Sequence, residues 1–175
     1  PNFNDRKSNN IEIIVIHYTA LSSISSSLKY LCSKKNKVSS HYLISQEGKI
    51  YSLVSEKKRA WHAGQSYWRG STDINSISIG IELDFSPSDI NNKFTLKLNS
   101  ALIFLLTKLL KKYRISNENI LGHSDIAPYR KIDPGKYFPW QMLENKKLSY
   151  RPQFLIREDI ENRLKKEFLN MNKII

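Results

Sequence analysis

Cysteine is almost missing from this sequence, since Cys32 is the single one among 175 residues. An internal disulfide is therefore excluded, and so is a cysteine-rich structural zinc site, which leaves histidine and carboxylate side chains to hold any metal. Long apolar runs are missing as well, because none approaches the roughly 20 residues that a membrane-spanning helix requires. The hydrophobic content of 40% and the three tryptophans nevertheless predict a folded chain, and the length suits one domain with a short appendage.

Negative charge is also scarce. The 28 lysines and arginines outnumber the 16 acidic residues, which gives a formal net charge of +12. A basic chain points first to nucleic acid and then to other anionic polymers. The lysines are scattered, however, and no sustained basic block with interleaved aromatic residues occurs, so we expect no nucleic-acid partner. A solvated lysine-rich surface and a general attraction to acidic polymers both remain open.

The hydrophobic pattern predicts an α/β fold. Residues 11–16 are nearly all apolar and β-branched, which is typical of a central strand buried on both faces. Residues 76–85 alternate between apolar and polar side chains, as expected for a strand with one apolar face. An apolar stripe with helical spacing marks residues 95–113 as the clearest helix. Similar reasoning predicts a hairpin from residues 41–45 and 49–54, a short strand at 120–121, and further helices at about 26–33 and 157–172.

Candidate metal ligands concentrate in residues 121–140, where prolines and a glycine exclude a long regular helix. His123 and Asp133 in this irregular loop are a plausible pair of zinc ligands. A catalytic zinc site usually has three protein ligands and a water, so a third ligand must come from elsewhere. His17 is the best candidate, because it follows the first predicted strand at its carboxyl end, where ligands commonly bind in open α/β sheets.

Ordinary structural explanations compete with the functional ones when these residues are taken alone. Glu82, on the polar side of its strand, could be a solvated carboxylate, and Lys131 could simply be exposed. Asp133 could initiate a turn before its proline. His62 suits a binding role and a packing role equally well, whereas His41 is better explained as a core histidine bonded to the backbone.

Five motifs in a fixed order carry a specific resemblance to a known family. They are VIHYT (residues 15–19), SSHYLI (39–44), AWHAG (60–64), SIGIEL (78–83), and GHSDIAPYRKIDPG with FPW (122–135 and 138–140). Between about residues 10 and 143, the chain resembles the zinc-dependent N-acetylmuramoyl-L-alanine amidases of the type that also includes the peptidoglycan recognition proteins. The nearer likeness is to the periplasmic amidases of the AmiD kind, with the cytosolic anhydro-muropeptide amidases of the AmpD kind as cousins.

The resemblance implies an α/β domain with a mixed central sheet, helices on both faces and a zinc site at one end of the sheet. One zinc ion would be held by His17, His123 and Asp133. Glu82 would be the catalytic carboxylate, and Lys131 would face the reacting carbonyl. The substrate groove would include Tyr18, Trp61, His62, Ala63 and Arg69.

The activity that the resemblance implies is hydrolysis of the amide bond between the lactyl group of N-acetylmuramic acid and L-alanine, in peptidoglycan or in muropeptides, for cell-wall turnover or recycling. The alternative is a peptidoglycan-binding module without activity, which would be expected to lack a metal ligand. We expect a monomer in the periplasm or cell envelope, with the cytoplasm as the alternative compartment. The catalytic domain would span residues 1–145, and residues 146–175 would form an extension whose amphipathic helix packs on the domain or caps the groove.

Overall fold

The computed structural model describes residues 2–88 and 93–151, which form a five-stranded mixed sheet with helices on both faces. The strands are β1 Phe3–Asp5, β2 Ile13–Tyr18, β3 Tyr42–Ile44, β4 Ile50–Ser52, β5 Lys58–Ala60, β6 Ser78–Leu83 and β7 Ile120–Gly122. The helices are α1 Ile24–Cys32, α2 Ile74–Ile77, α3 Leu96–Tyr113, α4 His123–Ile126 and α5 Trp140–Asn145. The main sheet has the order β4-β3-β6-β2-β7, in which β4 alone is antiparallel to its neighbour, and β1 pairs with β5 in a separate antiparallel ribbon.

Strand β2 is central because its side chains are apolar on both faces. Ile14 and Ile16 pack into the larger core, and Ile13 and Val15 pack into the smaller core on the opposite face. This confirms the predicted central strand, although β2 ends two residues later than predicted. Its last residues therefore carry candidate site side chains within the regular sheet.

Helix α3 covers one face of the sheet with a stripe of buried leucines, namely Leu98, Leu102, Leu105, Leu106 and Leu109. The Thr95 side chain caps its first turn by accepting a hydrogen bond from the Leu98 amide at 3.1 Å. Two lysines in the last turn complement the helix dipole, and Arg114 ends the helix in a left-handed conformation. Each buried leucine contributes roughly 1.5–3 kcal/mol, so α3 is the main support of the sheet from this side.

The smaller core, on the other face, combines α2 and α4 with the segment that follows β5. Its buried members are Ile13, Val15, Ala63, Ile74, Leu121 and Ile126. Beside this core, polar groups from the same segment reach β2 and β6. The candidate site lies where they meet the carboxyl ends of the strands.

Three features of the fold differ from the prediction. Strand β6 begins at Ser78, because Ile74–Ile77 forms the short helix α2 rather than the start of a strand. Both faces of β6 are buried rather than one, since the side that carries Ser78 and Gly80 is covered by the segment after β5. The ribbon of β1 and β5 was not expected, because its three-residue strands are largely polar and carry no hydrophobic period.

Other predicted elements are confirmed, including the hairpin of β3 and β4, the short strand β7, and the helices α1 and α3. The helix predicted at residues 157–172 lies outside the described residues, and so does most of the predicted extension. Within the described ranges, no helix is both long and apolar enough to cross a membrane.

Candidate metal centre

The carboxyl ends of three neighbouring parallel strands bring the candidate site residues together. Strand β2 lies between β6 and β7, and its parallel register pairs His17 with Glu82. His123 follows β7 at once, as the first residue of α4. Side chains that are far apart in the sequence therefore meet at one edge of the sheet, where open α/β sheets commonly place their sites.

The loop after α4 delivers Asp133 to the same edge. The Ser124 amide donates to the Asp133 carbonyl oxygen at 2.9 Å, which folds the loop back onto the start of α4. Pro134 packs against Gly122, where a Cβ atom would lie only 2.6 Å from the Pro134 Cδ atom. Glycine at position 122 thus permits the close approach that places the Asp133 carboxylate beside the two imidazoles.

Three donor atoms, His17 Nδ1, His123 Nδ1 and Asp133 Oδ2, form a nearly equilateral group that we call the donor triangle. The two nitrogen atoms are 2.9 Å apart, and they lie 2.9 Å and 3.0 Å from the carboxylate oxygen. The three residues are only 2%, 3% and 7% exposed. Across residues 2–88 and 93–151, this is the only group of histidine, cysteine and carboxylate side chains arranged to hold a metal ion.

The protonation states of the donor triangle suit a metal. Burial, and then repulsion from His123 when that ring is protonated, lowers the pKa of His17 to about 4. Burial alone would raise the pKa of Asp133, but hydrogen bonds from His123 and His17 in their protonated form hold it well below its usual range. Metal binding requires neutral imidazole and ionised carboxylate, and His17 and Asp133 meet these requirements at neutral pH. Lone pairs packed so closely in a buried place repel one another unless a cation lies among them, so these residues fit a metal ion.

Glu82 is a buried carboxyl group that lacks a full set of hydrogen bonds. The residue is 8% exposed, and its Oε2 atom has no hydrogen-bond partner among the described residues. Burial, and then the negative charge of Asp133, raises the pKa of Glu82 to about 8, against the opposing effect of Lys131. A carboxyl group whose pKa lies near neutral pH can both accept and return a proton. Beside a metal ligand, such a group is suited to acid–base chemistry.

Lys131 stands two residues before Asp133 in the same loop and is partly exposed. Its charge lowers the pKa values of both Glu82 and His17. The Lys131 amide donates to the Ala127 carbonyl oxygen at 2.9 Å, which fixes the backbone next to the site. The loop thus carries a cation close to the buried carboxyl group and the donor triangle.

Tyr18, which was expected in the substrate groove, lies at the edge of the site. Its ring is half-buried, with its centre 5.8 Å from that of Phe85. Burial, and then the charge of Asp133, raises the pKa of Tyr18. The structure therefore brings this residue next to the loop that carries the ligand.

Trp61 and Arg69 have contacts that lead away from the donor triangle. The Trp61 indole N–H donates to the Asn4 side chain of β1 at 2.7 Å. Arg69 is exposed and forms an ion pair with Glu118, 3.3 Å away, in the turn before β7. Neither contact joins its residue to the ligands, and a groove role for these two residues stays a prediction.

His62 and Ala63 lie behind the two histidine ligands. His62 is 5% exposed, and Ala63 is fully buried. His62 Nδ1 lies 3.0 Å from His17 Nε2, and the Ala63 carbonyl oxygen lies 2.9 Å from His123 Nε2. Burial, and then repulsion from the neighbouring histidines when they are protonated, lowers the pKa of His62 well below its ordinary value, so this ring is neutral.

Sequence reasoning did not single out Asn75, Ser78 and Gly80, which all contact this segment. Asn75 Oδ1 accepts hydrogen bonds from the His62 and Ala63 amides at 3.0 Å and 2.8 Å. Ser78 Oγ lies 3.1 Å from His62 Nε2. Only Gly80 could have been identified from the sequence, since a glycine inside an apolar strand commonly marks a place where another group packs closely against the strand backbone. The two polar side chains could not have been identified in this way.

His41 is confirmed as a core histidine bonded to the backbone. It is fully buried, its Nδ1 atom accepts from the Gly80 amide at 3.0 Å, and its Nε2–H group donates to the Lys58 carbonyl oxygen at 3.0 Å. Burial lowers the pKa of His41 to about 4, so it is neutral at physiological pH.

A mixed sheet whose parallel strand ends hold a buried triangle of two imidazoles and a carboxylate defines an α/β domain with a candidate metal site. The family model described as N-acetylmuramoyl-L-alanine amidase matches residues 7–136. Because this match covers most of the sequence, the chain belongs to the N-acetylmuramoyl-L-alanine amidase family, as the five motifs predicted.

Curated relatives agree with this assignment. The N-acetylmuramoyl-L-alanine amidase AmiD of Escherichia coli is 42% identical over an alignment of 155 residues, which covers 76% of this chain and 52% of the relative. The 1,6-anhydro-N-acetylmuramyl-L-alanine amidase AmpD of Haemophilus influenzae is 42% identical over 106 residues, which are 60% of this chain and 56% of the relative. The chain thus spans about half the length of the curated relatives it matches.

Solved structures confirm the predicted fold. Escherichia coli AmiD, in complex with anhydro-N-acetylmuramic acid-L-Ala-D-γ-Glu-L-Lys, has a TM-score of 0.76 at 38% identity, over 86% of this chain and 63% of that one. AmpDh3 from Pseudomonas aeruginosa, in complex with an anhydromuramic pentapeptide, has a TM-score of 0.75 at 31% identity, over 89% and 67% of the two chains.

Proposed function

We propose that this chain is a zinc-dependent N-acetylmuramoyl-L-alanine amidase, which hydrolyses the amide bond between the lactyl group of N-acetylmuramic acid and the L-alanine of the stem peptide. The observation that carries the proposal is the buried donor triangle of His17, His123 and Asp133 with Glu82 beside it. Membership in the amidase family supports the reaction class.

The ligand chemistry favours zinc as the metal, with one ion per chain. Imidazole nitrogen and carboxylate oxygen are both usual zinc ligands, and three protein ligands leave one position open for water or substrate. A zinc ion held there would polarise the scissile carbonyl and would lower the pKa of a bound water to about 7. The donor set of His17, His123 and Asp133 would hold this ion.

Glu82 and Lys131 supply the remaining chemistry in this proposal. Glu82 accepts the proton of the attacking water and then returns it to the amine of the leaving L-alanine. Burial raises the pKa of Glu82 to about 8, close enough to neutral pH for the carboxyl group both to accept and to return a proton. The Lys131 ammonium group stabilises the negative charge that develops on the carbonyl oxygen.

Muropeptides are the substrate class that the relatives support, since AmiD and AmpDh3 were each solved with an anhydromuramic peptide. Stem peptides carry free carboxylates, and a chain with a net charge of +12 attracts such anions at low ionic strength. We assign the activity to cell-wall turnover or recycling in the periplasm or envelope, with cytoplasmic recycling as the alternative. We expect the chain to act as a monomer.

Product analysis by mass spectrometry tests the proposal. Zinc-loaded protein is incubated with muropeptides that contain or lack the 1,6-anhydro ring, and the expected products are free peptides that begin with L-alanine. Release from both substrates would indicate envelope turnover, and release from the anhydro form alone would indicate recycling. No release from either, with zinc bound, would contradict the amidase assignment and favour a peptidoglycan-binding module.

A further inference from the structure

Two consecutive residues, His62 and Ala63, contact both histidine ligands on the side that faces away from the donor triangle. His62 Nδ1 lies 3.0 Å from His17 Nε2. The Ala63 carbonyl oxygen lies 2.9 Å from His123 Nε2. One short segment therefore engages the outer nitrogen of each imidazole whose Nδ1 atom belongs to the donor triangle.

The direction of the hydrogen bonds at His17 follows from a serine. The Ser78 hydroxyl donates its single proton to the Ile74 carbonyl oxygen at 2.6 Å. Ser78 Oγ can then only accept from His62 Nε2–H, at 3.1 Å. A neutral imidazole with its proton on Nε2 has a lone pair on Nδ1. His62 Nδ1 therefore accepts from His17 Nε2–H, and the lone pair of His17 is left on Nδ1, inside the donor triangle.

The direction at His123 follows from the backbone. A carbonyl oxygen only accepts, so Ala63 requires the proton of neutral His123 to lie on Nε2. The lone pair of His123 is then also on Nδ1, inside the donor triangle. The Arg130 side chain donates a second hydrogen bond to the same Ala63 oxygen at 2.6 Å, which helps to fix the position of this carbonyl group.

The segment itself is held rigidly. Asn75 Oδ1 accepts from the His62 and Ala63 amides at 3.0 Å and 2.8 Å. The His62 ring packs directly on the backbone of β6 at Gly80, where a Cβ atom would lie only 2.5 Å from His62 Cγ. Any side chain at position 80 would therefore displace the ring that contacts His17.

We infer that His62 and Ala63 form a clamp that orients both histidine ligands and determines which nitrogen of each faces the metal, with Ser78 setting the direction of the hydrogen bond to His17. This inference rests on the proposed metal site. His62 is then a positioning residue that acts through His17, rather than a residue of the substrate groove. Hydrogen bonds of this kind orient a histidine ligand, and their loss typically weakens metal binding about 10- to 100-fold.

Zinc affinity, measured by competition with a chelator, tests the clamp in three variants of the full chain. His62→Leu removes the acceptor for His17 Nε2–H, and we expect zinc to bind about 10- to 100-fold more weakly. His62→Asn retains an acceptor oxygen close to the position of Nδ1, and we expect it to recover most of the affinity. Tyr113→Phe is the control, since it removes a part-buried hydrogen bond to Glu56 but no contact with His62 or with a ligand. We expect it to lower the melting temperature while zinc affinity stays unchanged.

The outcomes separate this inference from the proposed function. If the unaltered chain binds no zinc, the proposed metal site itself is wrong. If it binds zinc and His62→Leu binds zinc equally tightly, only the clamp is wrong. Should His62→Leu fail to fold, Ser78→Ala replaces it, and we expect several-fold weaker zinc binding. In addition, nitrogen NMR of the zinc-free Ser78→Ala protein should show His17 with its proton no longer confined to Nε2, and an unchanged tautomer with unchanged affinity would contradict the inference.

Discussion

Glu56 and Glu82 are both withdrawn from water, yet the protein surrounds them in opposite ways. Glu56, whose side chain is 15% exposed, accepts hydrogen bonds from the Tyr42 and Tyr113 hydroxyl groups and from the Lys112 ammonium group. Glu82 Oε2 is buried with no such partner among the described residues. One carboxyl group is thus fully engaged by the fold, and the other is left open.

The pKa values show what this difference means. Burial alone would raise the pKa of Glu56, but hydrogen bonds from Lys112, Tyr113 and Tyr42 lower it below its ordinary value. At Glu82, burial raises the pKa to about 8, and no hydrogen bond opposes it. A carboxylate with partners stabilises the fold, whereas one without them is costly to bury and marks a candidate functional site. By this comparison, Glu56 stabilises the fold, and Glu82 is a candidate for acid–base chemistry.

The largest expected effect is the loss of zinc from the site beside Glu82 when a ligand is removed. Asp133→Ala removes the carboxylate of the donor triangle. Changes around a metal ligand typically weaken metal binding about 10- to 100-fold or more, so we expect zinc below roughly one tenth of an equivalent per chain. We also expect no measurable turnover. Elemental analysis of the purified protein measures the zinc. Asp73→Ala is the control, since it loses an ion pair with Arg59 but no ligand. A full equivalent of zinc in Asp133→Ala would remove Asp133 from the site.

A smaller effect concerns stability and pH in the zinc-free protein. Because folding raises the pKa of Glu82 from 4.5 to about 8, the folded state binds more protons than the unfolded state between these pH values. The stability contributed by this group therefore falls as pH rises through that window. Glu82→Gln removes the titration, so its stability relative to the unaltered protein should improve between pH 5 and pH 8.5, on the order of 3 kcal/mol.

Glu56→Gln provides the opposite case in the same experiment. The pKa of Glu56 is lowered by folding, so its contribution is already complete above the ordinary value of 4.5 and is lost only at lower pH. We expect Glu56→Gln to be destabilised by about 1–3 kcal/mol, with no change between pH 5 and pH 8.5. Urea unfolding at both pH values measures the two differences. If they vary with pH in the same way, the contrast between the two carboxyl groups is wrong.

Much of the fold was predictable because its main elements are repetitive and apolar. The β-branched run of β2 predicts a strand buried on both faces, and the leucine stripe of α3 predicts a helix buried on one face. The ribbon of β1 and β5 was not predictable, since its pairing joins short polar segments about 55 residues apart, as in the register of Asn4 with Arg59. The ribbon is held by contacts between segments that are distant in the sequence, and no local sequence pattern predicts such contacts.

The candidate site also has a part that the sequence predicted and a part that it did not. The family motifs placed His17, His123 and Asp133 in one site, and the structure brings them together. The surroundings of His62 were not predictable, because its hydrogen bonds to His17 and Ser78 depend on how the segment after β5 folds over β6. The raised pKa of Glu82 is likewise a property of burial, which a charged residue in an alternating strand does not reveal.

The different roles of Glu82 and Glu56 can be tested by measuring the turnover of Glu82→Gln and Glu56→Gln side by side on a muropeptide, with zinc content determined in the same samples. We predict that Glu82→Gln keeps its zinc and loses turnover by about 10²- to 10⁴-fold, because its amide cannot accept the proton of water. Glu56→Gln should also keep its zinc and stay within about twofold of the unaltered rate, since its partners lie in the fold rather than the site. Full turnover in Glu82→Gln, or an equal loss in both variants, would contradict the account.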